Sequence, residues 1–593
     1  MQKYLSGDEE MLSYLIKNAK IYDGTGEKPY LASVGIEGDT IKCIIKDGEL
    51  PEAENVIDAK GRMLTPGFID IHSHADRNVL VLPNADNNIL QGITTFLGGN
   101  CGQSQAPANE WDNYSGRTDF DSFGDYLDLC RKEKLGVNYA PMVGLNALRC
   151  HTMPGDWRRH AGKEEIEKMC ALLTDCMEAG AFGMTYMGDP CPSHYASREE
   201  FDALLDVLEK YEAQFQGHTR HHQNQWPSED GRSYYGVHLD EKGEITCGRY
   251  HGLVEFMEMF RAHPKLTAVY SHFTNMFYVP MPHRTATEEA MIQESLDYFV
   301  NEPAEEGYRV FFNVLVHPHS LSGLKKVVKE FMRSMSNDPE MQEFAKPEIL
   351  IEKLKDADFR EKFKKYIKSG KVKMNYTCPA QDPYWSDCLM FFKTKDQSLL
   401  NKSLLDVTKE RYPDATRHDL IYEYAYDVMF DIILDDPDAA WALVKDKREY
   451  QGTRKFAQNP RCMPMTDSII FKEGADPFDT SPSYGIAPLS YTTMVRWLVD
   501  QAKLDGNIPI EDAIYKASGL PASVLKLPDR GIIKEGMKAD LNLIDWEKLG
   551  YTIDFTDPSV PPTGIDCVWV NGVPALKDGK LTYAGTGRVL TRP

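Results

Sequence analysis

The 593-residue chain sets 90 acidic side chains against 67 basic ones, a formal net charge of −23, with 42% hydrophobic and 26% charged residues. That is the composition of an ordinary soluble globular protein, and it excludes a nucleic-acid binder, because phosphate recognition needs a basic face. No apolar stretch reaches bilayer length, so no membrane partner is expected, and the length leaves room for a large core or several domains.

The opening MQKYLSGDEEMLSYLIKNAK is acidic and broken by charges, unlike a signal or transit peptide. The 12 cysteines are scattered without a Cys-x-x-Cys pair, the pattern of a reducing compartment. A cytoplasmic location is expected. From Met11 to Met63 the sequence reads as short alternating strands, YLIKNAKIYDGTG, SVGIEGDTIKCII and NVIDAKGRML, punctuated by the turn signals Asp23-Gly24 and Glu37-Gly38.

The middle of the chain alternates short apolar runs with helical stretches, which predicts a parallel sheet with crossover helices. Eight runs are recognisable: 67–71, 93–97, 137–143, 181–187, 213–217, 266–271, 310–316 and 463–466. Eight such strands predict a TIM-type (β/α)8 barrel with its active site at the C-terminal strand ends. Between the seventh and eighth runs lies a helical, charged segment, about 320–447, too long for a plain loop. It is expected to be a helical insertion near the active-site face, and such elements often act as lids. The last segment, GIIKEGMKADLNLIDW and IDCVWVNGVPALKDGK, returns to short strands, so both chain ends are expected to build one small β-sandwich. The expected divisions are 1–65 and 519–593 for the two parts of the sandwich and 66–518 for the barrel with its insertion.

Chemistry concentrates at the predicted strand ends. His72 and His74 follow GFIDI two residues apart, so both imidazoles reach one point beyond the strand, and neutral imidazole is a common zinc ligand. A bare His-x-His is more often a pair of surface side chains; the preceding Pro66-Gly67-Phe68-Ile69-Asp70 favours the ligand reading. Cys101, in QGITTFLGGNCGQS (91–104), is by itself a small buried core residue. Together with histidines arriving at the same face it becomes a thiolate donor. His218 and His272 each stand where a strand passes into a loop, and with Cys101 they form a Cys/His/His set with an open fourth position. His317 and His319 lie near the seventh strand end, within reach of a substrate, whereas His221 and His222 are not needed by this scheme. Asp467, after the eighth strand, reads either as a helix N-cap or as a general base and acid. Its position at the barrel mouth favours catalysis.

The pieces PGFIDIHSHAD, QGITTFLGGNCGQS, AFGMTYMGDPCPSHYAS, GHTR, YSHFTN and MPMTDS, with the DGTG start and the DRGIIKEGMKADLNLIDW…VNGVPALKDGK end, occur here in one order along nearly the whole chain. In this the chain resembles the N-acyl-D-amino-acid deacylases (D-aminoacylases) of the amidohydrolase superfamily. GNCG is the most specific piece, because most of the superfamily uses a carboxylated lysine where this branch uses cysteine. The resemblance implies a tight zinc on Cys101, His218 and His272 and a weaker second site from His72 and His74 with Cys101 bridging. It also implies Asp467 as general base and acid, with Tyr195 and Arg220 as substrate-side contacts. Two positions depart from the family pattern, Thr274 for a lysine and Ser481-Pro482-Ser483 for a His-Pro-Arg stretch, and both lost cations would grip a substrate carboxylate.

The implied activity is hydrolysis of a linear amide in a small molecule, most simply deacylation of an N-acyl-D-amino acid or a related N-acyl compound. The alternatives are a cyclic amide hydrolase of the hydantoinase or dihydroorotase kind, against which Cys101 argues, and an inactive scaffold, against which the full ligand set argues. A homo-oligomer is left open.

Overall fold

The computed structural model describes residues 11–593 except 111–118, 189–190, 221–236, 240–244, 274–291, 317–318, 337, 373–384, 388, 416–417, 445–446, 475–488, 555–556 and 558. The two chain ends meet in one nine-stranded sheet. The N-terminal part supplies Leu12–Ile21, Tyr30–Glu37, Thr40–Ile45, Ala53–Asp58 and Met63–Pro66; the C-terminal part supplies Leu541–Ile544, Ile565–Val570, Val573–Lys577 and Lys580–Leu581. The seam is antiparallel, with Met63 opposite Ile544 and Pro66 opposite Leu541. The sheet curls back on itself: Ile41 N–H donates to the Met537 carbonyl and Ala539 N–H to that of Asp39, each at 2.8 Å. Ile16, Ile21, Val34, Ile36, Ile41, Leu64, Leu541, Leu543 and Trp569 fill the space it encloses.

Eight parallel strand positions follow the eight apolar runs. They are β1 (Phe68–Asp70), β2 (Ile93–Gly98), β3 (Asn138–Pro141, resuming at Val143–Gly144), β4 (Gly183–Met187), β5 (Gln214–His218), β6 (Thr267–Tyr270), β7 (Arg309–Leu315) and β8 (Cys462–Met465). Almost every residue in them is buried, as expected of parallel strands covered on both faces. They form two sheets, β1-β2-β3 and β3-β4-β5-β6-β7-β8, which meet where β3 is interrupted at Met142. There the Met142 N–H turns to the Gly98 carbonyl at 3.0 Å, and the Phe182 N–H reaches Pro141 at 2.8 Å. At the far side the backbone beyond β8 meets that beyond β1: Asp467 N–H donates to His72 at 3.0 Å and His74 N–H to Ser468 at 2.8 Å.

Helices between the strands are amphipathic. In Lys163–Glu178 the buried face is Ile166, Met169, Leu173, Cys176 and Met177, at the three-to-four spacing of one helical side. Arg198–Lys210 starts at Ser197, whose hydroxyl caps the Glu200 N–H. Among the described residues the cysteines are free thiols, all but Cys43 and Cys170 buried. No helix among them is long and apolar enough to cross a membrane.

Between β7 and β8, adjacent in the sheet, the chain makes its long excursion. It has its own core, in which Phe331, Phe363, Trp385, Phe391, Phe430 and Trp441 pack together. The expectation was of helices alone. The excursion also holds a three-stranded antiparallel sheet of His319–Gly323, Ala440–Val444 and Leu389–Lys393. Leu389, Phe391 and Trp441 of these strands are buried in that core.

Candidate metal centre

Six side chains from the ends of five strands converge, His72, His74, Cys101, His218, His272 and Asp467. Asp70 ends β1, and His72 and His74 follow it in the bend beyond the strand. Asp70 is fully buried and accepts from the Thr466 hydroxyl at 2.5 Å, the Thr466 N–H at 3.1 Å and the His72 N–H at 3.3 Å. Burial pushes its carboxyl up to about 7 against the pull of those bonds.

Cys101 sits in a turn just past β2 with a left-handed backbone, φ 50°. Gly99 makes the turn possible: its φ is +85°, and a Cβ there would lie 2.1 Å from the Met142 carbonyl oxygen. Thr185 on β4 clamps both sides of the cysteine, its hydroxyl donating to the Gly99 carbonyl at 2.5 Å and accepting from the Gly102 N–H at 2.9 Å. His218 ends β5. His272 follows β6 with φ 39°, held by its N–H on the Asn313 side-chain oxygen at 2.7 Å. Asp467 follows β8 with φ 51°.

The sulfur of Cys101 is 3.2 Å from His272 Nε2, 3.7 Å from His218 Nδ1 and 3.4 Å from His72 Nε2. Asp467 Oδ1 is 3.1 Å from His74 Nε2 and 3.3 Å from His72 Nε2. Two overlapping donor groups result, Cys101–His218–His272 and His72–His74–Cys101–Asp467, each with its atoms within 4.8 Å of one another. Around a tetrahedral ion with metal–sulfur and metal–nitrogen bonds of about 2.3 and 2.05 Å, sulfur and nitrogen stand about 3.6 Å apart. The 3.2 and 3.7 Å separations bracket that edge, so the first group fits an ion in donor type and in spacing.

The electrostatics favour neutral rings at His74 and His272. Burial, aided by Arg77, lowers His74 to about 4, and burial with the neighbouring His218 holds His272 well below its ordinary value. Burial alone would raise the Asp467 carboxyl, but the bonds to His72 and His74 hold it well below the carboxylate range. Its side chain is 21% exposed against none for His72, so the centre opens to a ligand on the aspartate side.

The substrate-side candidates lie further out. Tyr195 closes a short turn, Pro192–Tyr195, with its ring 6.0 Å from that of Trp157 and 5.2 Å from that of His194. Arg220 pins this turn: its guanidinium pairs with Glu255 at 2.9 Å and donates to the carbonyls of His194 and Ala196. His319 opens the first strand of the excursion; His317, Thr274 and 481–483 lie outside the described residues, as do His221 and His222. Sequence reading missed the support: Asn100, Thr185, Gln216 and Asn313. Only Gln216 carried a signal, since Gln214, Gln216 and His218 alternate on one face of an otherwise apolar strand.

Compared with known proteins, the chain matches the amidohydrolase family model at residues 55–126 and 483–575. It is 25% identical to the D-aminoacylase of Alcaligenes xylosoxydans xylosoxydans over 99% of both chains. In sequence the chain is thus similar to amidohydrolases. Its fold is that of a crystallised D-aminoacylase, with a TM-score of 0.68 at 23% identity over 98% of this chain and all of the other. It is also that of the N-acyl-D-glutamate deacylase from Bordetella bronchiseptica, solved with zinc and a phosphonate mimic of the tetrahedral intermediate, with a TM-score of 0.65 at 20% identity over the same shares. The chain's cysteine–histidine cluster lies at the C-terminal ends of its parallel strands.

Proposed function

We propose that the chain is an amidohydrolase that uses zinc to hydrolyse a linear amide, removing the acyl group from an N-acyl-D-amino acid or a related N-acyl compound. The observation that carries the reading is the spacing of Cys101, His218 and His272 around one point with Asp467 alongside. In this reading the two parallel sheets form one closed eight-stranded barrel, residues 66–518, joined through Met142 and through the Asp467–His72 backbone bond. Residues 1–65 and 519–593 form the companion β-domain, and the excursion is a lid over the site.

Cys101, His218 and His272 would hold the metal. When bound, zinc lowers the pKa of water and polarises a carbonyl. Asp467 orients the attacking water, takes its proton, and later delivers it to the departing nitrogen. Tyr195, on a turn that Arg220 keeps in place, offers its hydroxyl to the carbonyl oxygen. His317 and His319, where the excursion begins in the sequence, are assigned to substrate binding. Occupancy of the second group depends on which nitrogen of His72 carries a proton.

Where the family pattern has cations to grip a carboxylate, this chain has Thr274 and Ser483, so its demand for a free substrate carboxylate is relaxed. The test is a paired screen of N-acyl-D- and N-acyl-L-amino acids, their carboxamides and cyclic amides, with zinc supplied. Turnover of D-configured linear amides, with carboxamides accepted, is the expected result. Turnover confined to ring amides would replace the reading with a hydantoinase-like one.

A further inference from the structure

The hydrogen bonds beneath His72 fix its proton. Asn100 donates its side-chain amide to two backbone carbonyls, Leu97 at 2.7 Å and Ser73 at 3.0 Å. A carbonyl can only accept, so the Asn100 nitrogen and oxygen cannot be exchanged. The Asn100 oxygen therefore needs a donor, and it finds one in the Gln216 side-chain nitrogen at 2.7 Å. In that orientation the Gln216 oxygen is free to accept from the Gln214 side-chain nitrogen at 2.7 Å.

The Gln216 nitrogen has a second hydrogen and nothing to accept with. It lies 2.7 Å from His72 Nδ1. That ring nitrogen must present its lone pair, and the proton of the neutral ring must sit on Nε2. Nε2 in turn faces two acceptors, the Asp467 carboxylate at 3.3 Å and the Cys101 sulfur at 3.4 Å. Donor and acceptor needs agree at both ends of the ring. A metal needs the Nε2 lone pair, which in this tautomer does not exist.

We propose that His72 is a positioning residue and not a metal ligand: Gln216, fixed by Asn100, makes it donate from Nε2 to Asp467 and Cys101. The second donor group is thereby closed to a metal by a proton, and the chain holds a single ion on Cys101, His218 and His272. This rests on the metal-dependent reading above and deepens it, since the same N–H steers the carboxylate that handles the water.

The test is the zinc content of metal-stripped protein after titration with excess zinc and gel filtration, read by elemental analysis and needing no substrate. The wild type is expected to bind about one zinc per chain. Gln216→Glu replaces the donor by an acceptor, drives the proton to Nδ1 and frees Nε2. It is expected to bind a second zinc, with second-site affinity raised about tenfold or more. Because a carboxylate facing the Asn100 oxygen risks unfolding the site, Gln216→Met serves beside it; lacking the donor, it too is expected to gain the second ion.

A wild type that binds two zinc ions, one of them lost in His72→Asn, would overturn the inference and leave the function standing. One ion in the wild type and in both folded variants would overturn the role of Gln216. A wild type that binds no zinc would remove the metal-dependent reading and this inference together.

Discussion

At the residue scale, three of the six converging side chains, Cys101, His272 and Asp467, stand on left-handed backbone. Outside glycine that conformation costs about 1 kcal/mol per residue, and it persists where neighbours over-determine it. Thr185 and Asn313 are such neighbours. Thr185→Val removes both clamps on the cysteine turn and is expected to destabilise by about 1–3 kcal/mol, with metal affinity falling tenfold or more. Thr185→Ser should restore both, and metal titration with denaturant melts will check it. Cys101→Ala is expected to strip the ion, whereas Asp467→Asn should keep it and lose about 10²–10⁴-fold in turnover. Elemental analysis paired with a deacylation assay separates the two. Full activity in the asparagine variant would end the case for Asp467 as base.

At the element scale, the excursion between β7 and β8 begins and ends side by side: His319 pairs with Val444 across the small antiparallel sheet. With its own aromatic core it behaves as a unit set between two neighbouring parallel strands. Replacing residues 321–442 by a short turn is therefore expected to leave the folded protein and its metal content intact while raising KM, as loss of a lid would. Circular dichroism, metal content and substrate saturation curves check this, and an aggregated product would argue against an independent unit. The eight apolar runs were legible because buried parallel strands write themselves as continuous hydrophobic stretches. The excursion's strands were not, since LMFFK and AWALV are short apolar pieces among charged helices, and periodicity alone cannot assign those. In the site, the histidines, the cysteine and the aspartate were legible from their places at strand ends. Asn100, Thr185 and Asn313 were not, because what they do depends on partners supplied by other strands.

At the scale of the whole molecule, the nine-stranded sheet is tied to the parallel strands by a buried network. Arg530 donates to Asp540 at 2.5 Å, Asn138 of β3 donates to the same carboxylate at 3.0 Å, and Asn571 N–H reaches its other oxygen at 2.6 Å. Burial raises the Asp540 carboxyl, and Arg530 is the main opposing influence. Arg530→Met leaves that charge buried without its cation and should cost about 3–5 kcal/mol near neutral pH. A carboxyl whose folded pKa lies above its unfolded one weakens the protein above the folded pKa, and the penalty fades as pH falls through it. The variant should therefore lose least stability in mildly acidic buffer. Denaturant melts at two pH values will show it; a deficit that grows on acidification would refute the account.

The seam between Met63–Pro66 and Leu541–Ile544 also sets a timetable for birth on the ribosome. The earlier strand waits for a partner made about 475 residues later, roughly 25–95 s at ordinary translation speeds. Throughout that interval the nascent N-terminal hairpins expose an open edge, the kind of surface that invites chaperones or clumping.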